Sequence, residues 1–195
     1  MRKNIEGSYS AGITAVGIYS PKKVLTNDDL AKTVNTSDEW ITERTGIKER
    51  HIASPDEASS DMAYQAYLDL TRRYSINPEE IDLVIVATVT PDTLFPTTAN
   101  VLQDRIGASR AGAMDILAAC AGFVYALSTG VQFVQSGTYK KVLVFGTDTM
   151  SRITDWEDRN TCVLFGDAAG VVLIEPVEPE YGVHDIELRS DGTGA

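Results

Sequence analysis

The sequence predicts an α/β layered fold whose mixed, mostly parallel sheet is flanked by helices, and three features carry that prediction. Ile81 to Val89 (IDLVIVATV) and Lys141 to Gly146 (KVLVFG) are apolar on both alternating faces and rich in β-branched residues, the pattern of strands buried between two helical layers. Between them Phe123, Leu127, Val131 and Val134 recur at helical spacing, and Met62, Ala63, Ala66, Tyr67 and Leu70 do the same upstream. Strand-like and helix-like stretches alternate through the chain, with no tandem repeat, low-complexity tract or internal linker.

Taken in order, Gly12 to Tyr19 reads as a first strand, closed by Ser20-Pro21. Thr26-Asn27-Asp28-Asp29 has an oxygen-bearing cap and acids in its first turn, which start a helix running into Leu30 to Val34. Thr36-Ser37-Asp38-Glu39 starts another, with Trp40 and Ile41 behind it and Gly46 as its stop. A longer helix lies between Asp56 and Tyr74, and Asn77 to Glu80 is a turn or single helical turn. After the strand Ile81 to Val89, Asp92 to Pro96 is a loop and Thr97 to Ile106 an amphipathic helix. Ala113 to Leu117 is a strand that gives way to the helix of Phe123 to Val134. Beyond Lys141 to Gly146, two short strands at Cys162 to Phe165 and Gly170 to Ile174 surround the turn Gly166 to Ala169, and His184 to Leu188 is a last candidate strand. Ser190 to Ala195 has loop composition with no closing element after it, so the architecture is expected to be incomplete.

The chain has 195 residues, enough for one core or for one half of a two-lobed protein. Its 17 Lys and Arg against 28 Asp and Glu leave a formal charge of −11, which argues against a nucleic-acid surface or an anionic-membrane binder. No apolar run reaches the roughly 18 residues of a spanning helix. Met1 to Ser10 has two basic residues but no apolar stretch behind them, so no signal peptide is expected there. Two cysteines, Cys120 and Cys162, without a CxxC, and only two histidines fit neither a metal site nor a disulfide scaffold; a reducing cytoplasm is the expected location.

Chemistry concentrates in Ala111 to Gln135, where Cys120 stands at the junction of a strand and a helix. A helix start has unpaired N–H groups and the positive end of the helix dipole, and a thiolate there is stabilised for attack on a carbonyl carbon. Ala118, Ala119, Ala121 and Gly122 leave room for a thioester to approach. On placement alone two readings stand: a nucleophile, or a small buried hydrophobe of the kind most unpaired cysteines are.

The stretches Asp38-Glu39-Trp40-Ile41, Arg44-Thr45-Gly46-Ile47, Glu49-Arg50-His51, Ala118-Ala119-Cys120-Ala121-Gly122-Phe123 and Phe165-Gly166-Asp167 with Ala169-Gly170 together resemble β-ketoacyl-acyl carrier protein synthase III, a thiolase-fold condensing enzyme, in order and over nearly the whole chain. The resemblance implies that this chain is the amino-terminal half, residues 1–195, and that the carboxy-terminal half is absent. It implies that Cys120 takes the acyl group of a short acyl-CoA and passes it to the carbanion left when malonyl-acyl carrier protein loses carbon dioxide. The His and Asn that hold the enolate lie, in the family, on the other half. His51 matches a structural position and His184 matches no catalytic one.

By the same resemblance Trp40 and Arg159 sandwich the adenine of CoA, with Thr36 and Arg44 beside them at its phosphates and base, and Phe95 reaches across a homodimer interface into the neighbour's acyl pocket. The implied partners are acyl-CoA, acyl carrier protein, a second copy and a carboxy-terminal half; no metal and no cofactor beyond the CoA thioester substrate is expected. An acidic carrier protein would need a local basic patch, for which Lys140-Lys141 and Arg72-Arg73 are two of several candidates. Ala168 stands at the second glycine of the family's FGDGAG turn, which relaxes any need for positive φ there. Other readings are a polyketide-priming or hydroxymethylglutaryl-CoA-type condensing enzyme, a thioester hydrolase using Cys120, and a non-catalytic assembly half.

Overall fold

The computed structural model describes residues 9–193. Met1 to Ser8 and the final Gly194 and Ala195, on which the signal-peptide reading and the end of the terminal loop fall, lie outside the described residues. One five-stranded sheet forms the centre, in the order β1-β7-β6-β4-β5. Strand β4 (Leu83–Ala87) runs parallel to β5 (Gly112–Ile116) and to β6 (Val142–Thr149), while β7 (Asp167–Val177) is antiparallel to both β6 and β1 (Ser10–Tyr19). Four of the five strands therefore point the same way, and β7 alone is reversed.

Helices cover both faces, which explains the doubly apolar strands. Val84 and Val86 of β4, with Leu143 and Phe145 of β6, face α3 (Ser59–Arg73) and α4 (Thr98–Arg105). Their neighbours Leu83, Ile85, Ala87, Val142 and Val144 face α5 (Gly122–Gln135), which contributes Ala126, Val131 and Val134. Each fully buried Val, Leu or Ile contributes on the order of 2 kcal/mol, so the two clusters hold the three layers together. Asp115 on β5 fixes where α4 begins by accepting from Thr98 N (2.9 Å) and Ala99 N (2.8 Å), as a carboxylate at a helix N-terminus should.

The early helices form where their caps predict. Thr26 and Asp29 make a reciprocal capping box at the head of the short α1 (Asn27–Leu30). Ser37 caps α2 (Asp38–Thr45) by accepting from Trp40 N (3.1 Å), and Gly46 ends it at φ 75°, a left-handed position that suits glycine. Three readings need correction: Gly166 to Ala169 is not a turn before a strand at Gly170, because β7 already begins at Asp167 and pairs with β6 from there, and two segments read as strands are not strands. Cys162 to Phe165 is a run of turns, not a strand: Cys162 N bonds back to Asp158 O (2.9 Å), and Cys162 and Val163 pack into a third cluster with Leu30 and Ile41. His184 to Leu188 forms no strand either; Val183 and Ile186 pack against the α5 cluster. A small antiparallel pair formed by β2 (Lys23–Thr26) and β3 (Glu49–Ile52) was not legible in the sequence.

The β1 edge is tied to α3 by side chains that occupy its outward polar groups. Asp69 accepts from Ile18 N (3.0 Å), and Arg73 Nη2 donates to Val16 O (2.6 Å). At the end of the same strand Tyr19 Oη donates to Glu57 Oε1 (2.6 Å), and this bond, with burial and the adjacent negative charge, pushes the phenol pKa up to about 12. A raised folded-state pKa means that the stabilisation is fully present below the ordinary phenol value of 10.0 and is lost as pH rises through about 12. In a spectrophotometric titration the last phenolate to form is expected to disappear in Tyr19→Phe. The stability difference between that variant and wild type should vanish over the same window; a Tyr19 phenolate forming near pH 10 would contradict the assignment.

Candidate active site

Strand β5 ends at Ile116, and a 3₁₀ turn at Ala119–Ala121 carries the chain into α5. Cys120 sits on this turn, two residues before the helix begins, and it is exposed. Ala119, just before it, has φ 46°, the single left-handed non-glycine among the described residues. Such a conformation costs on the order of 1–3 kcal/mol, and it turns the chain sharply enough to present the thiol at the end of the parallel strands. No side chain caps the N-terminus of α5. The sequence reading of Cys120 as a buried hydrophobe does not match its exposure.

The thiol opens onto a cavity of about 450 Å³ lined by Ala87, Phe123, Gly146, Met150, Gly166 and Ala169, among others. Phe123 comes from the first turn of α5 and the others from β4, β6 and β7 or the residues next to them, so the cavity is set at the carboxyl ends of the parallel strands. Two carboxylates brace it: Asp148, half-buried, is part of the lining, and Asp167, buried, lies between the lining residues Gly166 and Ala168. Asp148 accepts from Val89 N (2.8 Å), Thr88 Oγ1 (3.0 Å) and Thr90 Oγ1 (3.0 Å). Asp167 accepts from Ala53 N (2.7 Å), Ser151 N (2.8 Å) and Ser151 Oγ (2.5 Å). Both oxygens of Asp167 accept, whereas every bond to Asp148 falls on its Oδ1. Sequence reasoning did not single out Asp148; its signal is a carboxylate at the end of a doubly apolar strand.

No histidine lines the cavity among the described residues. His51 Nδ1 donates to Pro21 O (2.5 Å) on the β2–β3 side, and His184 is exposed. Leu117 is exposed and does not line the cavity. Ala168 lies within β7 without a positive φ, as its place in the turn motif required. Cys162 is buried, and burial pushes its thiol pKa up.

A second group assembles on α2 and the loop that follows β6. Arg159 Cζ lies 4.2 Å from the centroid of the Trp40 ring, and Arg44 Cζ lies 4.6 Å from it. Guanidinium planes at this distance gain a cation–π attraction. Arg159 Nε and Thr36 Oγ1 are buried with no hydrogen-bond partner among the described residues. Polar atoms left in that state are expected to find a partner in a ligand or water. Thus Thr36, Trp40, Arg44 and Arg159 share one part of the fold. Phe95 is elsewhere, 85 % exposed beside Leu94 at 89 % on the loop before α4. Of the basic pairs, Arg72 and Arg73 are both engaged by Asp69 (3.3 and 2.6 Å), and Lys141 by Glu80 (2.6 Å), which weakens their case as a free positive patch. No helix among the described residues is long and apolar enough to cross a membrane.

Comparison with known proteins is consistent throughout. Residues 114–192, which include Cys120, match the family model described as 3-oxoacyl-[acyl-carrier-protein (ACP)] synthase III. Beta-ketoacyl-[acyl-carrier-protein] synthase III of Geobacillus kaustophilus is 55% identical over 94% of this chain and 59% of its own length. A crystal structure of the synthase III from Thermus thermophilus superposes with a TM-score of 0.90 at 49% identity, covering 94% of this chain and 57% of that one. The priming β-ketosynthase of the R1128 polyketide pathway superposes with a TM-score of 0.85 at 35% identity, over 90% of this chain and 52% of that one. The chain therefore spans little more than half the length of the relatives it matches.

Proposed function

This chain belongs to the β-ketoacyl-acyl carrier protein synthase III family and has its thiolase-like α/β fold, and from that premise we propose that it carries the acyl-accepting part of a condensing enzyme that starts fatty acid synthesis. The observation that supports this most directly is the exposed Cys120 on a strained turn at the head of α5, open to a cavity at the strand ends. In the proposed reaction the Cys120 thiolate attacks the carbonyl carbon of a short acyl-CoA. The new C–S bond forms as the bond to CoA sulfur breaks, and CoA leaves as a thiolate that takes up a proton. Malonyl-acyl carrier protein then loses carbon dioxide, its carbanion attacks the acyl-Cys carbonyl, and the Cys120 thiolate departs.

The first step needs a nucleophile with room around it, which Ala118, Ala119 and Ala121 supply. The second needs groups that hold the developing enolate. No described residue lining the cavity is suited to that, so the proposal assigns the task to a His and an Asn in a carboxy-terminal half, this chain being the amino-terminal one. Trp40 and Arg159 are proposed to take the adenine of CoA between them, with Thr36 and Arg44 at its phosphates and base. In the described arrangement Arg159 rests directly on the indole, so the ring enters by displacing the guanidinium. The exposed Phe95 and the unpaired outer edge of β5 support a homodimer. Acyl carrier protein is the second substrate, the CoA thioester needs no further cofactor, and two free thiols suit a reducing cytoplasm. The polyketide-priming reading has support from the likeness at 35% identity noted above, and it uses the same thiol.

The test is to incubate the full polypeptide with labelled acetyl-CoA and digest it. Label is expected on the peptide bearing Cys120; label on Cys162, or none anywhere while CoA is released, would overturn the proposal.

A further inference from the structure

Arg50 is 5% exposed and carries its charge into the interior without a carboxylate partner among the described residues. Its Nη1 donates to Asn27 Oδ1 (2.9 Å) and to Leu25 O (3.3 Å), and its Nη2 donates to Val163 O (2.8 Å). Its Nε has no partner. A buried cation held by neutral oxygens is expensive, so its place has to be explained by what it joins.

It joins the two sides of the Trp40–Arg159 stack. Val163 closes the run of turns that carries Arg159, a run fastened within itself by Asp158, which accepts from Thr161 Oγ1 (2.6 Å) and Asn160 N (2.9 Å). On the other side Asn27, also buried, passes the connection on: its Nδ2 donates to Asp38 Oδ1 (2.8 Å) in the first turn of α2 and to Ile47 O (2.7 Å) just past its end. Helix α2 carries Trp40 and Arg44. Beneath the loop, a Cβ placed on Gly166 would lie 2.8 Å from Arg50 Cβ, so the chain leading from the Arg159 loop into β7 rests on this side chain.

We propose that Asn27 and Arg50 form a buried positioning relay that sets the Trp40 face against the Arg159 face, and thereby the affinity of that cleft for the nucleotide end of a CoA thioester. The CoA role rests on the function proposed above; the relay itself does not. Neither residue touches the ligand. Lysine at position 50 keeps the charge but presents one ammonium where a fork reaches two acceptors. Aspartate at position 27 keeps an acceptor for Arg50, and so keeps the cation paired, but loses the donor to Asp38 and Ile47 O.

In the full polypeptide, calorimetry with CoA is expected to show affinity about tenfold weaker in Arg50→Lys and in Asn27→Asp. In an Arg159→Ala background the further loss from Arg50→Lys should shrink to less than about twofold, because the face it positions is gone. A general loss of stability would add equally in both backgrounds. A second readout needs no CoA: with Trp156→Phe leaving Trp40 as the one indole, acrylamide quenching of Trp40 should rise in both relay variants and in Arg159→Ala. If Arg50→Lys does not fold, Asn27→Asp decides. Wild-type affinity with unchanged quenching, or an Arg50→Lys loss undiminished by Arg159→Ala, overturns the relay. If the wild type binds no CoA, the functional reading fails and the quenching result alone judges the relay.

Discussion

Cys120→Ser is expected to lower acyl loading from acetyl-CoA by at least about a thousandfold while leaving the fold unchanged. The effect is large because one atom serves twice, as the nucleophile that enters and as the leaving group that departs. A serine hydroxyl at neutral pH is almost wholly protonated, and no histidine lines the cavity among the described residues to activate it. The position itself tolerates the change, since the side chain is exposed and its neighbours are alanines. Cys162→Ala, a change in the buried cluster with Leu30 and Ile41, is expected to load normally where it folds. Single-turnover loading followed by intact mass measures both; a Cys120→Ser protein that still gains one acetyl group at the wild-type rate would remove Cys120 from the mechanism.

The second large effect is on stability. Asp167→Ala is expected to destabilise the fold by about 3–5 kcal/mol, because it leaves the amides of Ala53 and Ser151 and the Ser151 hydroxyl without their acceptor. Asp167 is 2% exposed, so bulk water does not reach the place the carboxylate would leave. Asn at this position retains one acceptor oxygen and should lose less. Urea denaturation followed by far-ultraviolet circular dichroism reads the difference, and a change under about 1 kcal/mol for the alanine variant would show that the carboxylate is not a structural clamp.

These two residues were legible in different ways. Cys120 could be placed from local sequence, because an apolar run followed by small residues and a helical period already marks a strand-to-helix junction. The bounds of α2 were equally plain, since Ser37 and Gly46 carry the physics of a helix start and stop in their own side chains. The β2–β3 pairing was hidden because Lys23–Thr26 and Glu49–Ile52 are short, partly charged and separated by two helices. Cys162 to Phe165 misled for the opposite reason: it is apolar like a strand, but its hydrophobes are buried against α1 and α2 by turns. The Asn27–Arg50 relay leaves no local pattern at all, because most of its acceptors are oxygens that the tertiary fold alone brings near. The pairing of Trp40 with Arg159, far apart in the chain, came from the family resemblance.

The unequal treatment of the two sheet margins limits how copies of this protein can combine. At β1 the Ile18 amide and the Val16 carbonyl are already taken by Asp69 and Arg73, so another strand would have to break two hydrogen bonds before forming its own. Strand β5 has a neighbour on one side only and no comparable guard. If two molecules join their β5 strands about a twofold axis, both free margins are used up and the joined sheet ends on guarded strands at each extremity. Such an assembly closes at two members, and end-to-end growth through this five-stranded sheet has no unguarded strand among the described residues from which to continue.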